Sequence, residues 1–326
     1  MLKVSSAQLS TVAAIELDAF RPLKEVAKLL KCSVQSAHAK IEQLKTRGVI
    51  RYIVPLIDTW RLGYTNYSIS FAVSTRAAGG REKLVNYLST VENVCWFSEL
   101  SGRYQFNVLL LARQASDVRR LLEGIERETP VSIMERAVTA RTKFAVLPRR
   151  YMGTVAEKSR PVYFSEVSEP VTLDEISQRI LAQVGTHPFE SGRELARQTG
   201  LPQATVARRL AELQESQIIP RFVWAMNLET LGARRQRILL SMNGVEPGTF
   251  KRLLDFAAKQ PEIINVAECV GSWDYEIACE IIEDSDLIRV IAALQDFLGP
   301  KLISTEVISV LKYRKFSMYP VTSANV

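Results

Sequence analysis

The stretch ELARQTGLPQATVARRLAELQESQIIPRF (Glu194–Phe222) decides how this chain is built, because EVAKLLKCSVQSAHAKIEQLKTRGVIRYI (Glu25–Ile53) carries the same pattern 169 residues earlier. Sliding the chain on itself by that interval lays Glu25 on Glu194, Ala27 on Ala196, Ile41 on Leu210, Leu44 on Leu213, Ile50 on Ile219 and Leu62-Gly63 on Leu231-Gly232, without a gap. The register persists through Glu99 on Glu268, Gly102 on Gly271 and Ser116-Asp117 on Ser285-Asp286. So long a period means two whole modules rather than a solenoid. Between them, residues 148–170 hold three prolines and no sustained periodicity, and read as a linker.

Inside each module the hydrophobic period changes. Leu23–Leu30 and Val34–Leu44 have apolar residues at helical spacing with a tight turn between them. After Gly63 the pattern turns to alternating or continuous apolar runs at Ser68–Val73, Val94–Leu100, Phe106–Ala112 and Val131–Phe144, with helical segments at Arg81–Leu88 and Ser116–Ile125. That order is β-α-β-β-α-β. The second copy repeats it, with strands near Ile238–Met242, Ile263–Val270, Tyr275–Ile282 and Leu302–Tyr313 and helices near Thr249–Lys259 and Ser285–Phe297. The expected fold is α+β: two helix-turn-helix, winged-helix-like heads, each followed by a ferredoxin-like βαββαβ sandwich. The expected boundaries are 1–58 and 171–227 for the heads and 63–147 and 232–320 for the sandwiches.

The composition, 47% hydrophobic and 24% charged over 326 residues, is that of globular domains. No run of 18 apolar residues occurs, and Gln8, Ser10, Thr11, Glu16 and Asp18 interrupt the N-terminal apolar positions. Neither a membrane span nor a signal peptide is expected, which points to the cytoplasm. Cys32, Cys95, Cys269 and Cys279 form no CxxC pair, and His38 and His187 lie far apart, so no disulfide, metal or cofactor site is expected. Charge is uneven. Residues 1–160 hold 25 Lys/Arg and 14 Asp/Glu, net +11, whereas residues 161–326 hold 17 and 21, net −4. The first 52 residues, with 9 basic and 4 acidic side chains, suit a polyanionic partner.

The helix from Val34 has an apolar stripe of Val34, Ala37, Ile41 and Leu44. At about 100° per residue, Gln35, Ser36, Ala39 and Gln43 fall opposite, with Lys40 at the edge and His38 on the other flank. The second copy keeps Val206, Leu210 and Leu213 and presents Gln203, Ala204, Thr205 and Arg208, with Arg209 at the edge. A major groove can use these types: Gln bonds adenine N6/N7, Arg grips guanine O6/N7, and small residues allow close approach. Ser33 is placed to cap the first of these helices and aim its amides at phosphate.

An ELA step, a turn, a helix ending R-L-x-x-L, a GVI step (Gly48–Ile50), an LGY step (Leu62–Tyr64) and a G-x-x-D-Y step (Gly271–Tyr275) follow in order. With TLDEISQRIL (Thr172–Leu181), this succession resembles the Lrp/AsnC, or feast/famine, family of transcription regulators, twice over nearly the entire chain. The resemblance implies double-stranded DNA as partner and sandwich domains that pair. This chain then corresponds to a fused pseudo-dimer within one polypeptide, with sandwich surface open to further copies. The heads have diverged: Lys31 stands for Gly200, Ser33 for Pro202, and Gln217 for Gly48, which leaves the backbone angle there open. Residues 171–221 hold 6 basic and 6 acidic side chains, so head one is expected to supply more of the phosphate grip.

The resemblance also implies a small effector, such as an amino acid, near the G-x-x-D-Y turn. The residues are Gly271, Ser272, Trp273, Asp274 and Tyr275 in copy two, with Gly102 and Arg103 in copy one, where Gln105 replaces the aspartate and removes its charge. Two other readings compete: an amino-acid sensor or interaction protein whose heads do not bind DNA, and an enzyme like the siroheme decarboxylases, which share this fold. That second resemblance calls for sandwich histidines and a Trp-Pro-Tyr step, and neither is present. No catalytic residues are expected.

Overall fold

The computed structural model describes residues 4–153, 155, 159–167, 169–244 and 246–320. Head one has three helices, α1 (Ser6–Ile15), α2 (Leu23–Leu30) and α3 (Val34–Thr46), then strand β1 (Ile50–Leu56). The first sandwich runs β2 (Thr65–Thr75), α4 (Gly80–Thr90), β3 (Val94–Ser101), β4 (Phe106–Ala112), α5 (Ser116–Glu128) and β5 (Val131–Val146). A short strand, β6 (Val162–Ser165), pairs with the end of β5, so the expected linker is partly built into the sheet. Head two comprises α6 (Glu175–Thr186), α7 (Gly192–Thr199), α8 (Gln203–Glu215), β7 (Arg221–Met226) and the single turn α9 (Leu228–Leu231). The second sandwich is β8 (Arg234–Met242), α10 (Thr249–Ala257), β9 (Ile263–Gly271), β10 (Tyr275–Ile281), α11 (Asp284–Leu298) and β11 (Leu302–Phe316). None of the described helices is long and apolar enough to cross a membrane.

Each head thus has a third helix ahead of the expected two. Ser5 caps α1 and Asp174 caps α6, each side chain accepting from the backbone three residues on. The turns match despite their different residues. Lys31 and Gly200 both end their helices left-handed, at φ +51° and +65°. Gln217, at φ +59°, holds the angle that Gly48 adopts at +65°.

Within each sandwich the strands stand in the order fourth, first, third, second: β5-β2-β4-β3 and β11-β8-β10-β9. The long last strands join the two. β5 pairs with its own β2 over Val131–Arg141 and then with β9 of the other module over Thr139–Val146. β11 does the reciprocal, leaving β8 for β3 of module one. Eight strands therefore close a ring, β2-β4-β3-β11-β8-β10-β9-β5, with β6 appended.

Helices pack outside this ring. Leu84, Leu88, Leu121 and Ile125 meet Ile69, Phe71, Phe97 and Val108 in one core, and Leu253, Val290 and Leu294 meet Ile238, Leu240 and Ile277 in the other. Each such side chain contributes about 1.5–3 kcal/mol of burial. Inside, Leu100, Tyr104, Leu239, Ala267, Trp273 and Ile308 form a smaller inter-module core.

The heads are joined in the same way. β1 and β7 pair antiparallel, and Val54 faces Val223, its own counterpart 169 residues on, which puts a pseudo-two-fold axis between them. Phe189 and Phe222 of head two and Leu44, Val49 and Ile53 of head one belong to one continuous core. Phe20 stacks edge-on to Phe222, 5.1 Å between ring centres.

Candidate nucleic-acid interface and central cavity

On α3, Ala37 and Leu44 are buried and Ile41 half-buried, but Val34 is exposed, because it starts the helix beyond the reach of the core; it is not part of the apolar stripe. Ser33 Oγ accepts from Ser36 N at 3.1 Å, the expected cap, and Ser33 itself is exposed. Gln35, His38, Ala39 and Gln43 are exposed; Ser36 and Lys40 are half-buried. Glu42, which the sequence reading passed over, lies on the same face and pairs with Lys45 at 3.1 Å. Lys24, Lys28 and Lys31 are exposed on α2 and its turn.

On α8, Gln203 and Arg208 are exposed and Thr205 is half-buried. Arg208 pairs with Glu212 at 2.6 Å, one helical turn on; an exposed pair of this kind is worth only about 0.3–0.5 kcal/mol and releases easily. Arg209 is held differently. It reaches Asp174 at 3.0 Å and Glu212 at 2.9 Å with its side chain 20% exposed, so it ties α8 to the start of α6 instead of facing outwards.

The G-x-x-D-Y turn has a structural job. Asp274 Oδ2 accepts from Met242 N at 2.7 Å, and Gln105 Oε1 accepts from Val73 N, the equivalent amide, at 3.3 Å. Both side chains close the same strand end, so the charge difference between them does not separate their roles. Trp273 and Tyr275 are buried, and Ser272 bonds the backbone of Val138 on β5. Gly271 packs so tightly against β5 that a Cβ would lie 2.3 Å from Val138 O. In copy one, Gly102 is exposed and Arg103 pairs with Glu135 and, at 4.0 Å, Glu306. The geometry thus uses Gly271, Ser272 and Trp273 to dock one module on the other, while Asp274 closes a strand end within its own module.

A cavity of about 690 Å³ lies elsewhere, between the β1–β7 ribbon and the inner faces of the ring. Along β10, Tyr275, Ile277, Cys279 and Ile281 belong to the helix-side core, while Glu276, Ala278 and Glu280 alternate to the opposite side. Arg141 Nη2 donates to both Glu276 oxygens, at 2.9 and 3.1 Å. Arg237 donates to Glu276 through Nε at 2.8 Å and to Ser68 Oγ through Nη2 at 3.1 Å. Ser68 and Arg237 are repeat counterparts, so this bond crosses the pseudo-axis. Burial would raise the Glu276 pKa, but the two guanidiniums outweigh it and hold it at about 2. Glu280 is likewise buried and is held at about 2 by Arg149 and Arg235, with Tyr151 donating to it. Glu16, bonded by Arg149, is pushed upward by burial. The signal for this network is present in YEIACEI, where Glu276 and Glu280 alternate with apolar residues in a strand too apolar to face water, and in RRQR, whose arginines lead straight into the apolar run Ile238–Leu240.

These features define a class: paired winged helix-turn-helix heads on paired ferredoxin-like sandwiches. Residues 173–219 match the winged helix-turn-helix DNA-binding family. The HTH-type transcriptional regulator FL11 of Pyrococcus horikoshii is 29% identical over 147 residues, 44% of this chain and 93% of that protein. The HTH-type transcriptional regulator Ptr1 of Methanocaldococcus jannaschii is 28% identical over 130 residues, 40% of this chain and 82% of its own. Each relative accounts for less than half of this chain, as a single module would. Over the whole length, the siroheme decarboxylase NirDL has a similar fold, with TM-score 0.59, 14% identity and coverage of 98% of this chain and 96% of that one. By fold and relatives, the chain is similar to two single-module HTH-type regulators joined in one polypeptide.

Proposed function

We propose that the chain binds double-stranded DNA as a sequence-specific transcriptional regulator, one polypeptide supplying both halves of a two-headed reader. The observation that carries this is the pair of exposed helices, α3 and α8, set about a pseudo-two-fold axis by a shared core and ribbon. Gln35, Ala39 and Gln43 on α3 and Gln203 and Arg208 on α8 read base edges. Lys24, Lys28 and Lys31 supply phosphate contacts at head one. The test is selection of genomic fragments by the purified protein, followed by anisotropy titration across salt. A defined site whose affinity falls steeply with salt supports the reading; no enrichment and no salt-dependent binding overturns it.

A second reading is favoured by one observation, the whole-length likeness to a siroheme decarboxylase combined with an arginine-bearing cavity between the modules. At 14% identity the likeness speaks for fold alone, and His38 and His187 both sit exposed in the heads. Mixing with siroheme and following its absorbance discriminates: an unchanged spectrum removes this reading.

A further inference from the structure

The central cavity combines three features that polar packing alone does not require. First, Arg141 and Arg237 are 6% and 3% exposed, and together they face one carboxylate, Glu276. The neighbouring group is balanced, with Arg149 and Arg235 against Glu16 and Glu280. One positive charge at Glu276 is therefore left over in a low-dielectric site, where an unpaired charge is strongly disfavoured. Second, Arg141 Nε, Arg237 Nη1 and Trp60 Nε1 are buried donors without an acceptor, and all three residues line the cavity. Third, aromatic rings adjoin the two guanidiniums: Trp96 sits 5.7 Å from the Arg141 guanidinium and 5.9 Å from that of Arg237, and Phe144 is 5.4 Å from Arg141. The volume is that of a site for a small molecule rather than for a few waters.

We propose that this cavity is a binding site for a planar aromatic molecule bearing a carboxylate, with the carboxylate on the free N–H groups of Arg141 and Arg237 and the ring among Trp96, Phe144 and Trp224. A carboxylate neutralises the extra guanidinium and accepts in the fork geometry that arginine favours. The asymmetry of the repeat allows only one such site. Copy one has Ser68 where copy two has Arg237 and Asn107 where it has Glu276, and Val310 stands where copy one has Arg141. The cavity also touches the heads: Trp224 of β7 forms part of its wall, and Lys45, in the last turn of α3, lies 5.4 Å over the same indole. Occupancy is thus read by α3 through Trp224, a coupling that rests on the DNA-binding reading above.

The test uses the full chain and two probes of one shape, 2-naphthoate and the neutral 2-naphthamide, in titration calorimetry. The acid is expected to bind at least about tenfold tighter than the amide, as a charge-assisted pair in a buried site should. Arg237→Gln, which leaves Glu276 with Arg141 as a balanced pair, should abolish that preference, and Arg103→Gln, on the exposed turn, should preserve it. Trp96→Leu should weaken both probes alike, which keeps the test decisive if Arg237→Gln folds poorly. Equal affinities, a preference that survives Arg237→Gln, or no binding of the acid would overturn the site. For the coupling, anisotropy with saturating 2-naphthoate should shift DNA affinity at least threefold; an unchanged affinity with the acid bound removes the coupling and leaves the site. Acid binding in a protein that binds no DNA removes the regulator reading alone.

Discussion

Two guanidiniums, those of Arg141 and Arg237, close on the single carboxylate of Glu276, and that local imbalance governs what substitution does there. Removing the carboxylate leaves two buried cations facing each other, so Glu276→Gln should lose about 3–5 kcal/mol in urea unfolding. Replacing all three residues with Met, which matches volume without charge, should cost little or even stabilise, because the desolvation penalty goes with the charges. The counterpart positions, Ser68 and Asn107 in copy one and Val310 in copy two, already show the fold tolerating the absence of these charges. The paired turns illustrate how far single residues were legible. Asp274 looked like a ligand group because only the free carboxylate is visible in a sequence; the Met242 amide it serves lies across a strand pair. Gln217 looked like a break in the pattern, yet it keeps the left-handed angle at a cost, so Gln217→Gly should gain about 0.5–1 kcal/mol in thermal unfolding.

At the scale of elements, alternation and helical periodicity were enough to place the strands and helices of both sandwiches, since one face of each is dry. They could not show that β5 and β11 change partners midway, because a strand's far neighbour leaves no local trace in its own pattern. Nor could they find β6 among prolines, where four residues pair with an existing edge. The crossover makes its own prediction. Gly271, at φ +141°, has no room for a side chain against Val138, whereas Gly102, at φ +107°, faces open space. Gly102→Ala should cost about 1–2 kcal/mol from backbone strain, and Gly271→Ala roughly twice that or more, measured by denaturant midpoints. Strand β10 adds a pH dependence. Glu276 and Glu280, whose ordinary value is 4.5, are held at about 2 when folded. Unfolding therefore takes up protons in acid: the stability these two contribute is fully present above 4.5 and is lost as the pH falls towards 2. Thermal midpoints should drop steeply in that window, and less so in the three-Met variant.

For the whole molecule, duplication was legible from the repeat alone, and divergence of the heads from their charges. The asymmetry of the ring interior was not, because it depends on which strand of one module meets which of the other. Glu280 belongs to module two but takes Arg149 from the segment after β5, and Glu276 takes Arg141 from β5 itself. Separated halves should therefore pair with each other and not with themselves: co-expressed residues 1–160 and 161–326 should appear as a heterodimer in native mass spectrometry, with homodimers absent. The shared core of the heads fixes their separation, so the two half-sites on DNA should have one spacing, and an inserted base pair between them should weaken binding at least tenfold.

If one chain reads DNA with two unlike heads, a base-substitution scan of the selected site with Gln35→Ala and Arg208→Ala proteins separates the two contributions. Each variant should lose discrimination of about 1–3 kcal/mol at positions in one half-site only, and the two variants at opposite halves. Loss of discrimination at the same positions in both, or in neither, would contradict a reader built from two divergent modules.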